Sequence, residues 1–209
     1  RWREARAEAS VRGAVSGAAI EGAVVSAQAL REQIAAGPKG AGVHASSKDP
    51  AWDAATGLWR AHSRLVGYMP DLVGRTRPMV PATAQLMATL HRDVAGPLAV
   101  GGLISEAVVG CPRESGQGLE NQSLEGAGLL EGGPGPNLGG QELRERLAQI
   151  VTLIDTPNLP ALVRVALVHA EMLTVRPFAL ANGALGRLLV RHLSVRDGLD
   201  PTGVSVSDY

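Results

Sequence analysis

The chain has little cysteine, few aromatic residues and no excess of either charge. Only one of its 209 residues is cysteine, Cys111, which excludes an internal disulfide and any zinc site built from several thiolates. Aromatic residues make up 3% of the sequence while hydrophobic residues make up 45%, so the core must consist mainly of leucine, valine, alanine and isoleucine. Such a core is typical of packed helices.

The charged side chains balance, because lysine plus arginine and aspartate plus glutamate each number 20. No global field therefore directs the protein towards nucleic acid or an anionic membrane surface. The sequence has no apolar run of the signal-peptide type at its first residues and none of about 20 residues elsewhere. We expect no nucleic-acid partner, no membrane span and a cytoplasmic location. Any affinity for phosphate must come from a local site.

The first helical pattern covers residues 3–36. This segment is rich in alanine, glutamate, arginine and glutamine, contains no proline, and stops at Gly37 and the proline after it, a pair that terminates a helix. Three glycines interrupt the segment, and each weakens a helix by about 1 kcal/mol relative to alanine. They favour either close packing against another helix or a break into two helices. The three are Gly13, Gly17 and Gly22.

Caps and apolar periodicity predict further helices. Asp49, followed by a proline, predicts a helix start after a loop at 38–48. Residues 160–174 are apolar nearly all round, so we expect this helix to be central and buried. Segment 96–110 is apolar and contains several glycines. Its periodicity is compatible both with short strands and with a helix. The remaining predicted helices cover 81–94, 141–154 and 182–196.

The composition changes sharply at residues 112–140, to glycine, proline, glutamate, glutamine, asparagine and serine. This change predicts a long surface loop. No internal repeat is evident. The pattern as a whole predicts an all-α or mostly α single domain over residues 1–209, with a helix–loop–helix unit at 160–196 in its core.

The loop between the last two predicted helices leads into Asn182 and Gly183 at a helix start. A helix N-terminus offers unpaired N–H groups and a partial positive charge, and it is therefore a ready anion site. Arg187 lies about one turn further along and Arg176 stands at the entry of the loop, so both are placed to clamp a phosphate through charge-assisted bonds. The alternative is that the Asn-Gly pair only begins the helix and that the flanking arginines bind no ligand.

Residues 176–187 read RPFALANGALGR and resemble the signature of the Fic (Fido) family, H-x-F-x-(D/E)-G-N-G-R-x-x-R. The chain matches that signature without gaps at Phe178, Asn182, Gly183 and Arg187. The resemblance implies an all-α, Fic-like helical bundle. It also implies that the matched residues, together with the arginine that opens the segment, bind a nucleotide or another phosphate.

Three features outside the signature agree with this resemblance. His169 falls seven residues before the first signature position, where the family often has a histidine on the preceding helix. The pair Leu90 and His91 is similar to a Leu-His pair of an earlier Fic helix. The segment 112–140 lies where the family has its flap, a hairpin that aligns a target by strand addition. The glycine and proline in this segment disfavour a regular hairpin, although a short one stays open.

The departures from the signature concern catalysis. The family uses its histidine as the general base of AMP transfer from ATP, whereas the guanidinium of Arg176 cannot accept a proton near neutrality. Leu180 replaces the acidic residue that binds Mg²⁺ and has no ligand atom. Ala181 replaces a glycine, and Ala184 replaces an arginine that contacts phosphate. His169 is disfavoured as a substitute base, since a histidine on an apolar helix is usually a core residue. The resemblance thus implies no magnesium or other metal site and no certain catalytic residue.

Many Fic proteins also carry an inhibitory helix with the pattern (S/T)-x-x-x-E-(G/N), whose glutamate pairs with the last signature arginine. Residues 1–37 resemble it through the Ile-Glu-Gly sequence around Glu21, although Gly17 lies four residues before this glutamate and the hydroxyl of Ser16 lies five before it. The resemblance predicts an ion pair between Glu21 and Arg187. The alternative is a solvated helical glutamate.

We therefore expect a Fic-like protein with a degenerate active site that binds a nucleotide, such as ATP, or another phosphate-bearing ligand, and acts through binding. One alternative is residual or non-standard transfer of a nucleotidyl or phosphate group to a protein target. A second alternative is a structural or interaction module that pairs with a partner chain. Neither alternative is excluded by the residues themselves.

Overall fold

The computed structural model describes residues 1–37, 49–73, 78–114, 136 and 138–206. These residues form seven α-helices and one short 3-10 helix and contain no strand, which confirms the predicted all-α class. None of the described helices has both the length and the apolar character needed to span a membrane. The helices are α1 Trp2–Ile20, α2 Ala27–Ala36, α3 Pro50–Tyr68, α4 Thr83–Val100, α5 Gly140–Asp155, α6 Ala161–Val175 and α7 Asn182–Arg196.

The first helical pattern contains two helices, so the alternative of a break is correct. Gly22 has a φ of 82°, a left-handed conformation that glycine adopts without a steric penalty. The chain turns there, and Ser26 then caps α2 by accepting a hydrogen bond from the N–H of Ala29 at 3.4 Å. This turn leaves Glu21 at the C-terminal end of α1. The prediction of close packing is also correct, because a β-carbon on Gly13 would lie 2.8 Å from the His62 ring.

Helix α3 begins as its cap predicts, and α4 is longer than predicted. The Asp49 side chain accepts a hydrogen bond from the N–H of Ala51 at 2.9 Å. Helix α4 continues beyond Val94 and through Pro97 to Val100, and a 3-10 helix at Glu106–Val108 follows it. The helix alternative is therefore correct for the first part of segment 96–110, and the strand alternative is wrong.

A single cluster of buried apolar side chains takes members from all seven helices. Aliphatic residues and methionine supply nearly all of it, and Phe178 is its only fully buried aromatic residue. Helix α7 packs along α6 and also contacts α3 and α4. The start of α7 is therefore fixed on several sides. Its deepest leucines are Leu185, Leu188, Leu189 and Leu193.

The prediction that the helix at 160–174 is buried all round is wrong. In α6 only one stripe is buried, and it includes Val168 and Met172. Leu162 is 69% exposed and Leu167 is 43% exposed on the opposite side. The reason is that α6 packs against α7 and α5, and no described element covers its outer face. Apolar composition did not indicate which side has neighbours.

A buried polar network joins α1, α3 and α7. Arg191 donates from Nη1 to His62 Nδ1 at 2.8 Å and to Ser10 Oγ at 3.3 Å. It also donates from Nη2 to the carbonyl of Gly203 at 3.2 Å. Burial lowers the pKa of His62 to about 3, and the positive charges of Arg191 and Arg187 act in the same direction. This network keeps α7 in register with the N-terminal helices.

Two predictions concern segments that lie largely outside the described residues. The loop predicted at 38–48 falls wholly outside them. Of the predicted loop and flap at 112–140, the structure describes only 112–114, 136 and 138–140. Both assignments stay predictions.

Candidate functional site

The loop that carries the signature lies between two residues with left-handed backbone. Helix α6 ends at Arg176, which has a φ of 46°, and α7 is preceded by Ala181, which has a φ of 59°. Such conformations cost a residue with a β-carbon roughly 1 kcal/mol or more. The position of Ala181 is one where glycine would be unstrained, so contacts elsewhere must hold the loop in place.

Asn182 closes this loop with both ends of its amide. Its Oδ1 accepts from the N–H of Phe178 at 2.9 Å, and its Nδ2 donates to the carbonyl of Phe178 at 2.8 Å. The side chain is 5% exposed, so these bonds form in an environment where an unpaired polar group would be costly. The amide predicted to bind phosphate therefore also shapes the loop.

The ring of His91 on α4 packs against this loop. It stacks on Phe178 with a centroid distance of 4.3 Å and an angle of 16° between the ring planes. The N–H of Gly110 donates to Nδ1 at 2.8 Å, so the proton of the neutral ring is on Nε2, which donates to the carbonyl of Leu180 at 3.2 Å. Burial lowers the pKa of His91 to about 4, which keeps this arrangement neutral at pH 7.

Arg113 is a loop-holding residue that the sequence did not indicate. Its Nε donates to the carbonyl of Arg176 at 2.8 Å, and its Nη2 donates to those of Pro136 at 2.9 Å and Val175 at 3.4 Å. Its own N–H donates to the carbonyl of Pro177 at 2.9 Å. One guanidinium thus binds the carbonyls at the end of α6 and keeps the strained entry of the loop in place.

We expect Arg113→Met to lower the free energy of unfolding by about 2 kcal/mol. The substitution keeps most of the apolar stem but removes a charged donor from several carbonyls, and hydrogen bonds to charged groups contribute about 1.5–3 kcal/mol. Urea unfolding followed by circular dichroism measures the change. Arg144→Met, at an exposed position on α5, is the control and should change stability by less than about 0.5 kcal/mol. Equal effects of the two substitutions would contradict the role of Arg113.

Glu21 and Arg187 form the predicted ion pair. The distance from Arg187 Nη2 to Glu21 Oε1 is 2.5 Å, and the two side chains are 15% and 4% exposed. A β-carbon on Gly183 would lie 3.4 Å from Glu21 Oε1 and 3.4 Å from Arg187 Nη1. The carboxylate of α1 is thus held by an arginine directly beside the first turn of α7. The alternative of a solvated glutamate is wrong.

The other sequence-predicted positions are less closely grouped. Arg176 is half-buried at the far end of the loop, and its Nε donates to the carbonyl of Leu173 at 3.3 Å. Leu180 and Ala184, which replace the acid and the first arginine of the signature, are each 1% exposed and belong to the core. The ring of His169 lies where α6 contacts α7. A β-carbon added to Gly186 of α7 would be 3.0 Å from its Cδ2.

The structure thus brings Glu21, Gly183 and Arg187 together at the start of α7, with Asn182 shaping the loop beside them. Phe178 is 3% exposed and lies in the core. Within the part of the chain that the structure describes, no three His, Cys, Asp or Glu side chains are grouped closely enough to hold a metal ion. The searches of family models and of curated proteins returned no match to this chain.

Proposed function

We propose that the protein is a Fic-like domain with a degenerate signature that binds a nucleotide or another phosphate-bearing ligand at the start of α7. One observation carries the proposal, namely the carboxylate of Glu21 held by Arg187 beside Gly183. A carboxylate presents an oxyanion to the arginine, as a phosphate does. An arginine placed to bind the carboxylate of Glu21 is therefore also suited to bind a phosphate.

The physics of helix ends supports the same proposal. The first N–H groups of α7 have no partner within the helix, and the helix dipole places partial positive charge there. Ala181 at the N-cap has no side-chain oxygen to satisfy them. A phosphate oxygen at this point would receive backbone N–H bonds as well as the guanidinium of Arg187.

The residues at the catalytic positions argue against standard AMP transfer. A guanidinium at position 176 cannot serve as a general base near neutral pH. Leu180 is buried and has no oxygen atom in its side chain, so the donor set does not fit a Mg²⁺ ion, which prefers carboxylate and phosphate oxygens. The proposal therefore assigns the protein a binding role, through which it would act on a protein partner, and no step that needs a metal.

We further propose that Glu21 competes with the phosphate for Arg187. A ligand that needs the free guanidinium binds only the fraction of molecules in which the ion pair is open, and its apparent affinity falls by that fraction. A cytoplasmic location is part of the proposal, because a reducing compartment would keep the exposed thiol of Cys111 free.

We expect Glu21→Gln to bind nucleotides about tenfold more tightly than the wild type, because an amide releases the guanidinium from a charged partner. Isothermal titration calorimetry with AMP, ADP and ATP, each with Mg²⁺ and with a chelator, measures this change. Arg187→Ala should reduce the affinity at least about tenfold, since it removes a charge-assisted bond. Chelation of Mg²⁺ should leave the affinity for AMP unchanged.

Two control variants make this test specific. Glu32→Gln removes an exposed carboxylate from α2, and Arg144→Ala removes an exposed guanidinium from α5. Each should leave the affinity within about twofold of the wild type, because neither side chain is at the site. The proposal is wrong if no nucleotide binds either the wild type or Glu21→Gln, or if Glu32→Gln tightens binding as much as Glu21→Gln does.

A further inference from the structure

A cavity lies towards the C-terminal end of α7. It has a volume of about 440 Å³ and is bounded by the end of α3, the segment 78–80, the last turns of α7 and Pro201. Its His192 is ten positions along α7 from Asn182, about 15 Å from the anion site at 1.5 Å per residue. The volume lies within the range of about 300–1,000 Å³ found for small-molecule sites. The two sites are therefore separate.

The imidazole of His192 is a buried polar group in the wall of this cavity. This residue lines the cavity and is only 8% exposed. Within the described residues, neither ring nitrogen forms a hydrogen bond, and neither is among the buried polar atoms that lack a partner, so the ring can bond to a molecule in the cavity. Burial lowers the pKa of His192 to about 4, and the charge of Arg196 acts in the same direction. The neutral ring at pH 7 offers one donor and one acceptor.

The two charged residues at the edge of the cavity have opposite charges, and both already form hydrogen bonds within the protein. Arg196 donates from Nε to Asp197 Oδ1 at 2.8 Å and from Nη2 to the carbonyl of Ile154 at 2.9 Å. Asp71 accepts a hydrogen bond from the N–H of Val73 at 3.1 Å. One guanidinium and one carboxylate line the cavity, so its wall carries no net formal charge. An ionised ligand would lose its hydration without gaining a free counter-charge.

Apart from the side chain of Tyr68, which carries a hydroxyl, the remaining wall is apolar. It includes Leu72, Val80 and Val195, together with three proline rings. Such walls stabilise the apolar body of a ligand through burial, while a single polar group fixes its orientation. A hydroxyl group suits the neutral imidazole because it both donates and accepts a hydrogen bond.

We propose that this cavity is a binding site for a small uncharged molecule of the phenol class, with its ring against the apolar wall and its hydroxyl hydrogen-bonded to His192. The site is independent of the anion site at the start of α7. It needs neither Glu21 nor Arg187.

The test uses 2-naphthol as the probe and 2-naphthoate as a charged probe with the same ring system. Two-dimensional NMR of the histidine ring nitrogens, titrated with each probe, reports both affinity and the hydrogen bond to His192. We expect 2-naphthol to shift the His192 signals in a saturable manner, and 2-naphthoate to bind at least tenfold more weakly. Absence of any shift at millimolar 2-naphthol would overturn the proposal, as would equal binding of the two probes.

Matched variants locate the binding. Val80→Trp fills the cavity from a residue that is 39% exposed, and Val163→Trp makes the same substitution on α6 at a residue that is 45% exposed and away from the cavity. The first variant should lose at least tenfold in affinity for 2-naphthol, and the second should match the wild type. His192→Leu, which keeps the apolar body, should bind about tenfold more weakly and leave nucleotide binding unchanged. Equal binding by Val80→Trp and Val163→Trp would place the probe elsewhere and overturn the proposal.

Discussion

Lowering the pH from 7 to 5 is expected to reduce the free energy of unfolding by about 5 kcal/mol. Burial lowers the pKa of His91 and of His192 to about 4 and that of His62 to about 3, whereas each has an ordinary value near 6.5 in the unfolded chain. Each histidine then contributes about 1.8 kcal/mol over this pH range. The total is comparable to the whole stability of many domains. The protein should therefore be close to unfolding at pH 5.

The direction follows from proton binding. Between pH 6.5 and 4 the unfolded state binds protons at these three histidines and the folded state does not, so stability falls as the pH falls through this window. Above pH 6.5 these three histidines do not lower the free energy of unfolding. Carboxylates act at lower pH, since the pKa of Glu8 is lowered to about 2 by its hydrogen bond with Arg31, and its contribution is lost only below its ordinary value of 4.5.

Urea unfolding at pH 7, 6 and 5 measures this dependence. His192→Gln supplies the control, because glutamine is polar but does not titrate and the cavity beside it accommodates the change. The fall in stability between pH 7 and 5 should be about one third smaller in this variant than in the wild type. A wild-type stability that stays constant from pH 7 to 5 would contradict the neutral state of the three rings.

Helix positions were predictable from the sequence where a local signal determines them. Asp49 caps α3 because its carboxylate reaches the free N–H of Ala51, which depends only on neighbouring residues. Helix α7 begins at Asn182 and ends at Arg196, as predicted. The burial of α6 was not predictable in this way. Leu162 is as apolar as any core residue, and its 69% exposure depends on where the other helices pack.

The site was predictable only in part. The pairing of Glu21 with Arg187 joins residues 166 positions apart, and it was predicted through a resemblance to a known element and not from spacing. Arg113 had no such signal, because its partners are main-chain carbonyls, and every residue type has a carbonyl. For His91 the resemblance indicated the position, while its stacking on Phe178 came from the structure.

Asn182 illustrates how one residue type fits two functions. Its place in the signature predicts a contact with phosphate, and its amide bonds to both the N–H and the carbonyl of Phe178. An asparagine amide has two donor hydrogens and an oxygen with two lone pairs, so the loop uses only part of its capacity. Phosphate binding by this side chain stays a prediction. Its two hydrogen bonds to Phe178 give the side chain a structural role that does not depend on a ligand.

Gly57→Ala and Gly67→Ala should change stability in opposite directions although both lie on α3. A β-carbon on Gly57 would lie 2.3 Å from the main-chain oxygen of Val94 on α4, while nothing lies within 4 Å of one on Gly67. We expect the first substitution to lower the free energy of unfolding by about 3 kcal/mol or more, because the two helix backbones must separate. The second should raise it by about 0.5 kcal/mol, since alanine is the better helix former. Urea unfolding of the pair isolates packing from helix propensity, and a gain in stability from both would show that α3 and α4 are not in backbone contact.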